Sequence, residues 1–155
     1  KAISEYKEQV QVWKPSYDDT LVGATVIQRK VINYVTERLY TERENVVVNE
    51  IEVESDSLKV SLYDNGEIDG DIISIFYNRQ LILNSQKLTH KSIKIDLVLD
   101  SVKGTNEISM FAENLGLIPP NTALLIIDDG ENKFELRLSS SLEKNATIRI
   151  KRKNN

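Results

Sequence analysis

From residue 46 to residue 153 the chain alternates apolar and polar positions in short runs separated by turn formers. Leu58-Lys59-Val60-Ser61-Leu62-Tyr63 has a period of two, as does Ser92 to Leu99, with Ile93, Ile95, Leu97 and Leu99 on one face. Val46 to Val53 is valine-rich, and Ile72 to Tyr77 is a dense β-branched and aromatic run. Leu81-Ile82-Leu83 follows it across the hairpin-length connection Asn78-Arg79-Gln80. Glu107 to Ala112, Ala123 to Ile127, Lys133 to Leu138 and Ala146 to Ile150 complete the series. Phe134, Leu136 and Leu138 share a face, and so do Ala146, Ile148 and Ile150. Asp64-Asn65-Gly66, Lys103-Gly104-Thr105-Asn106, Asp128-Asp129-Gly130 and Glu143-Lys144-Asn145 supply turns between the runs. Short strands at this spacing predict an all-β, immunoglobulin-like β-sandwich of about seven to nine strands over residues 46–153.

Residues 1–45 have a different texture and read as an N-terminal arm or linker. Trp13 to Asp19 (WKPSYDD) reads as a loop, because Pro15 interrupts a ladder and Ser16, Asp18 and Asp19 favour turns. In the following stretch, Ile27, Val31, Tyr34, Val35 and Leu39 would line one face of a helix. Its many β-branched and aromatic residues favour strand instead. The stretch is too long for one ordinary strand, so helix is preferred.

Composition narrows the chemistry. The 155 residues include no cysteine and one histidine, His90. Disulfide scaffolds, thiolate metal sites and thiol catalysis are excluded, and multi-histidine sites with them. The net charge is −4, against the basic excess of a general nucleic-acid binder. No apolar run approaches the ~20 residues of a membrane-spanning helix. No nucleophile elbow, phosphate loop or zinc-protease motif is present. His90 sits in a turn beside Lys91 and reads as a solvated surface residue.

Two loops carry the chemistry that remains. The string from Asp64 to Asp71 holds four carboxylates, Asp64, Glu67, Asp69 and Asp71, with no basic residue among them. Their mutual repulsion would be relieved by a hard cation, and oxygen ligands of this kind suit Ca2+. The string lacks the acidic alternation of an EF-hand loop, and its Asp-Asn-Gly and Asp-Gly-Asp units are also ordinary turns. A structural turn without cofactor and a cation site both fit these residues. The second loop joins two apolar strands and contains Glu113, Asn114, Pro119, Pro120, Asn121 and Thr122. Its prolines stiffen it and its amides can cap open backbone groups, so it is a candidate binding loop or a self-bonded crossover between sheets. Carboxylate-only hydrolysis would fall to Glu113, Asp69 and Asp71, but an aromatic content of 6% is thin for a sugar cleft. The chain therefore reads as non-catalytic. Arg149-Ile150-Lys151-Arg152-Lys153 ends it with four cations around a strand-like isoleucine and without the interleaved aromatics of a single-strand binder.

The segments LYDNGEIDGD (62–71), ISIFYN (73–78), MFAENLGLIPPNTAL (110–124) and SSSLEKNATIRI (139–150) together resemble a β-sandwich module of secreted and envelope-associated proteins of Bacteroidota. The shared pattern is YDNGxIDGD, then AENLGxIPPNTAL, then a basic last strand, and it spans residues 46–153. Where similar proteins carry Asn-Gly in the hairpin after ISIFYN, this chain has Asn78-Arg79. The resemblance implies a non-catalytic module, often appended to other segments, in an extracytoplasmic setting: periplasmic, outer-membrane-associated or secreted. Expected partners are a protein or a glycan, with a larger assembly as one context and a calcium-stabilised form as another. A module that keeps both loops would pack them together, with Asn114, Asn121 and Thr122 hydrogen-bonding the acidic turn.

Overall fold

A computed structural model describes residues 33–65, 70–114 and 120–154, and residues 25–27 as backbone. In chain order the elements are β1 (Thr25–Ile27), α1 (Tyr34–Glu42), β2 (Glu44–Val53), β3 (Ser57–Asp64), β4 (Ile72–Tyr77), β5 (Gln80–Lys87), β6 (Ile93–Val98), β7 (Asn106–Ala112), β8 (Asn121–Asp128), β9 (Lys133–Ser140) and β10 (Lys144–Arg152). Two five-stranded sheets form, in the orders β1-β6-β3-β8-β9 and β2-β10-β7-β4-β5. The architecture is the expected all-β sandwich, and all nine strands predicted from residues 46–153 are present. The turn segment Glu143-Lys144-Asn145 differs in part: Lys144 and Asn145 are the first residues of β10, and Asn145 is fully buried.

Period-two patterning explains the two layers. Along β8 burial alternates without a break, and Leu125 and Ile127 face inward. With Val60 and Leu62 of β3 they meet Ile73, Ile75, Met110 and Ile148 of the opposite sheet in one continuous core. Fully burying an aliphatic side chain contributes about 1.5–3 kcal/mol, so this interior is the main source of stability.

The stretch before β2 divides differently from the expectation of one long helix. Thr25–Ile27 is a strand, paired in parallel with Lys94, Ile95 and Asp96 of β6. Val31 and the WKPSYDD segment lie outside the described residues. The helix begins at Tyr34 because Asn33 caps it, its side-chain oxygen accepting the Thr36 amide at 3.2 Å. Starting there rotates the buried face. Thr36 and Tyr40 are buried, whereas Tyr34 and Leu39, expected on the inner face, are 58% and 38% exposed. Tyr40 stacks on Phe76 at 3.7 Å between ring centroids, and Phe76 meets Phe111 edge-on at 6.0 Å. With Leu81 these residues form a second apolar cluster on the outer side of the β4-β7 region. Polar pins fix the helix as well. Asn145 donates to the Tyr40 carbonyl (3.3 Å) and to Asn45 Oδ1 (2.8 Å), and Tyr40 Oη donates to Ser109 Oγ (3.3 Å).

The four cations at the end of the chain lie along the last part of β10, between β2 and β7, and just after it, and each is paired. Arg149 meets Glu107 (3.2 Å), Lys151 meets Glu50 (3.3 Å), Arg152 meets Asp56 (3.2 Å) and Lys153 meets Glu54 (3.1 Å). His90 is exposed, as expected. Among the described residues, no helix is long and apolar enough to cross a membrane.

Candidate functional site

Strand polarity brings the two loops together. β3 ends where β8 begins, with Asp64 opposite Ala123, and β4 begins where β7 ends, with Ile73 opposite Ala112. The β3–β4 and β7–β8 connections therefore both cross between sheets at the same end of the sandwich. The β5–β6 connection crosses there too: the Leu88 amide donates to the Asp71 carbonyl (2.9 Å) and the Asp64 amide to the Thr89 carbonyl (3.0 Å).

Side chains of the second loop hold the acidic turn. Asn114 uses both ends of its amide: Oδ1 accepts the Ile72 N–H (2.9 Å) and Nδ2 donates to the Gly70 carbonyl (3.1 Å). Asn121, fully buried, donates to the Ile72 carbonyl (3.3 Å). Thr122 donates its amide to Asp71 Oδ2 (3.1 Å) and its hydroxyl to the Asn65 carbonyl (3.4 Å). Arg137 of β9 donates to Asn65 Oδ1 (2.8 Å). Gly70 adopts a φ of +87°, a left-handed conformation that a side chain would disfavour, and so turns the chain into β4.

Glu113 is positioned from the neighbouring strand pair. A bulge in β5 places Ser85 at φ 49°, and its amide donates to Ser74 Oγ (2.9 Å). The buried Ser74 hydroxyl in turn donates to Glu113 Oε2. Beside it, Arg43 donates to the Ala112 carbonyl (2.7 Å) and lies 3.7 Å above the Phe111 ring. Burial pulls the Arg43 guanidinium below its ordinary pKa, and the nearby Glu113 carboxylate acts in the opposite direction.

Of the four cation-ligand candidates, Asp64 and Asp71 are buried at this end, whereas Glu67 and Asp69 lie outside the described residues. Among the described residues, no group of three or more His, Cys, Asp or Glu side chains is placed to hold a metal ion. Of the binding-loop candidates, Asn114, Asn121 and Thr122 bond the end of the acidic turn and the start of β4, and the Glu113 carboxylate bonds Ser74 of β4 instead; Pro120 is exposed, and Pro119 lies outside the described residues.

Two polar hubs were not singled out from the sequence. Asp129 gathers three amides: Glu54 on Oδ2 (2.8 Å), with Glu131 (2.9 Å) and Asn132 (2.6 Å) on Oδ1. Burial by itself would raise its pKa, but these bonds outweigh burial and hold the carboxyl below its usual range. Asn106 Oδ1 accepts from Tyr77 Oη (3.2 Å), Asn78 Nδ2 (2.7 Å) and the Asp100 amide (3.0 Å). Both residues stand in strings read simply as turns. The available signal was the chemistry of Asp and Asn side chains, which bond backbone amides nearby and across loops.

Comparison with protein-family models, curated proteins and solved structures finds no match.

Proposed function

We propose that this chain is a non-catalytic β-sandwich module of a secreted or envelope-associated bacterial protein, immunoglobulin-like in architecture, that presents its surface to a protein or glycan partner. A single observation carries the non-catalytic part. Among the described residues, the acids and amides best suited to chemistry are engaged in holding the loops and strands together: Thr122 on Asp71, Asn114 on Ile72 and Gly70, and Ser74 on Glu113. A general acid needs a proton it can deliver to a substrate, and a nucleophile needs an open approach. Glu113 instead accepts a hydroxyl held by the β5 bulge. The acidic string accordingly serves as a structural turn. The extracytoplasmic setting rests on the resemblance carried by the YDNGxIDGD and AENLGxIPPNTAL segments.

A glycan array and a glycan hydrolysis panel, run on the same preparation, test the reading. Retention of a glycan or no retention, with no turnover in either case, is the expected outcome. Turnover abolished by Glu113→Gln would refute it.

A further inference from the structure

A depression on the outer face of the β2-β10-β7-β4-β5 sheet has a cavity volume of about 340 Å³, within the usual size range of small-ligand sites. Its floor is a row of side chains running across the strands. Glu50 of β2 stands opposite Arg149 of β10, and Arg149 stands opposite Glu107 of β7. Beside Glu107, Asn78 closes the row, accepting the Glu107 amide at 2.8 Å. Within the depression, Glu107 pairs with Arg149 (3.2 Å) and Glu50 with Lys151 (3.3 Å).

Two further cations reach the same depression from its rim, Arg79 from the β4–β5 turn and Lys103 from the β6–β7 loop. Neither has an ion-pair partner among the described residues, and the Arg79 guanidinium lies 5.7 Å from the centroid of the Tyr40 ring. The local balance is thus four cations against two carboxylates, in a chain whose net charge is −4. Arg79 is held in place by its backbone: Asn78 and Arg79 both have positive φ (49° and 69°) in the two-residue turn between β4 and β5.

The mixture of signs selects the ligand. A polyphosphate would meet Glu50 and Glu107 on the floor, and single-stranded nucleic acid would lack a stacking platform. A ligand with one anionic group and several hydroxyls matches the mixture: the anion goes to Arg79 and Lys103, and the hydroxyls go to the paired carboxylates and Thr105. We infer that this depression binds an acidic saccharide, bearing a carboxylate or sulfate, through Arg79 and Lys103. The inference rests on the module reading above and names the ligand class of that module.

The test is a titration of isotope-labelled protein, followed by amide resonances, with trigalacturonate, a sulfated trisaccharide, a neutral trisaccharide and inorganic sulfate. Saturable shifts at Arg79, Lys103, Thr105 and Glu107 are expected with at least one acidic sugar and not with the neutral one. The double variant Arg79→Gln, Lys103→Gln should weaken binding about tenfold or more, a loss of at least ~1.4 kcal/mol, with resonances outside the depression unchanged. Should the double variant fail to fold, Lys103→Gln alone should weaken binding severalfold. No saturable shift with either acidic sugar, binding indifferent to the variants, or inorganic sulfate binding as tightly as the sugars would each overturn the inference. Acidic sugars bound elsewhere on the surface would remove this site and leave the module reading intact. Turnover of the sugar would count against the module reading instead.

Discussion

Replacing Asn114 by alanine isolates the joint between the two loops. The side chain makes two hydrogen bonds, accepting from Ile72 N–H at 2.9 Å and donating to the Gly70 carbonyl at 3.1 Å. A typical intramolecular hydrogen bond contributes a net ~0.5–1.5 kcal/mol, and leaving a partly buried partner unmet costs more. Ile72 is half-buried at the first position of β4, so water satisfies its amide only in part. The sum is about 2 kcal/mol. For a chain of 155 residues that corresponds to a fall in Tm of roughly 4–8 °C, taking about 2–4 °C per kcal/mol. Urea unfolding should show a lower midpoint with an unchanged slope, the sign of lost native stability with an unaltered unfolded state. Asn65→Ala is the control. It removes only the exposed contact from Arg137 and leaves the Asn65 carbonyl that Thr122 uses, so its effect should stay within ~0.5 kcal/mol. A loss at Asn114 no larger than that of the control would show that the joint contributes nothing, and the structural account of the acidic turn would fall with it.

Asp129→Ala should cost about 2–4 kcal/mol in chemical denaturation, since it strands the amides of Glu54, Glu131 and Asn132; a loss below ~1 kcal/mol would deny Asp129 that role. The folded Asp129 carboxyl lies below its ordinary pKa of 3.8, so its contribution is present above that value and disappears as pH falls through the folded-state value. Acid unfolding should therefore be shallower in Asp129→Asn, and identical profiles would contradict the linkage. Burial, reinforced by Asp100, pushes the Tyr77 hydroxyl up from 10.0 to about 12. The neutral phenol is thus favoured by folding, and stability should decline between about pH 10 and 12. Tyr77→Phe should remove that decline, and its persistence in the variant would assign it to another group. Arg79→Gly should stabilise the hairpin by about 0.5–1 kcal/mol, because glycine takes a φ of 69° without steric cost; destabilisation would mean that Arg79 makes contacts worth more than the strain. Melting midpoints in calcium chloride and in chelator should coincide if the acidic string is only a turn, and a rise with calcium would restore the cation reading.

The strands were legible because burial on a sheet face imposes a period of two, and a one-residue slip would expose the whole inner set. β8 shows this most plainly: Ala123, Leu125 and Ile127 are fully buried, and Thr122, Leu124 and Ile126 between them are not. The segment before β2 was less legible because its signals compete. Among the described residues, Thr25–Ile27 form β1 and the helix starts after the Asn33 cap, so the apolar periodicity that runs through both does not mark one element. Tyr40 is one of the aromatic residues of that stretch that favour strand by propensity. It became the anchor of the helix because a stacking partner, Phe76, stands 36 positions further along the chain, as their residue numbers show, and no local pattern registers a contact at that distance.

Which loops meet is a question of the same kind, and here the answer follows from direction. An antiparallel neighbour must start where its partner stops. Once β3 pairs with β8 and β4 with β7, Asp64 is opposite Ala123 and Ile73 is opposite Ala112, so the acidic turn and the proline loop have no other end of the sandwich to occupy. Asn114 and Thr122 flank that loop, each within two residues of a strand end, which places their short polar side chains within reach of the Gly70–Ile72 backbone. The amides therefore take over the role a ladder partner plays elsewhere: they satisfy backbone groups at the point where the chain leaves one sheet for the other. The depression on the outer face of the second sheet has a mixed origin. Arg149 and Lys151 follow from the register of β10 beside its neighbours, whereas Arg79 and Lys103 come from a hairpin turn and a loop that strand pairing does not place.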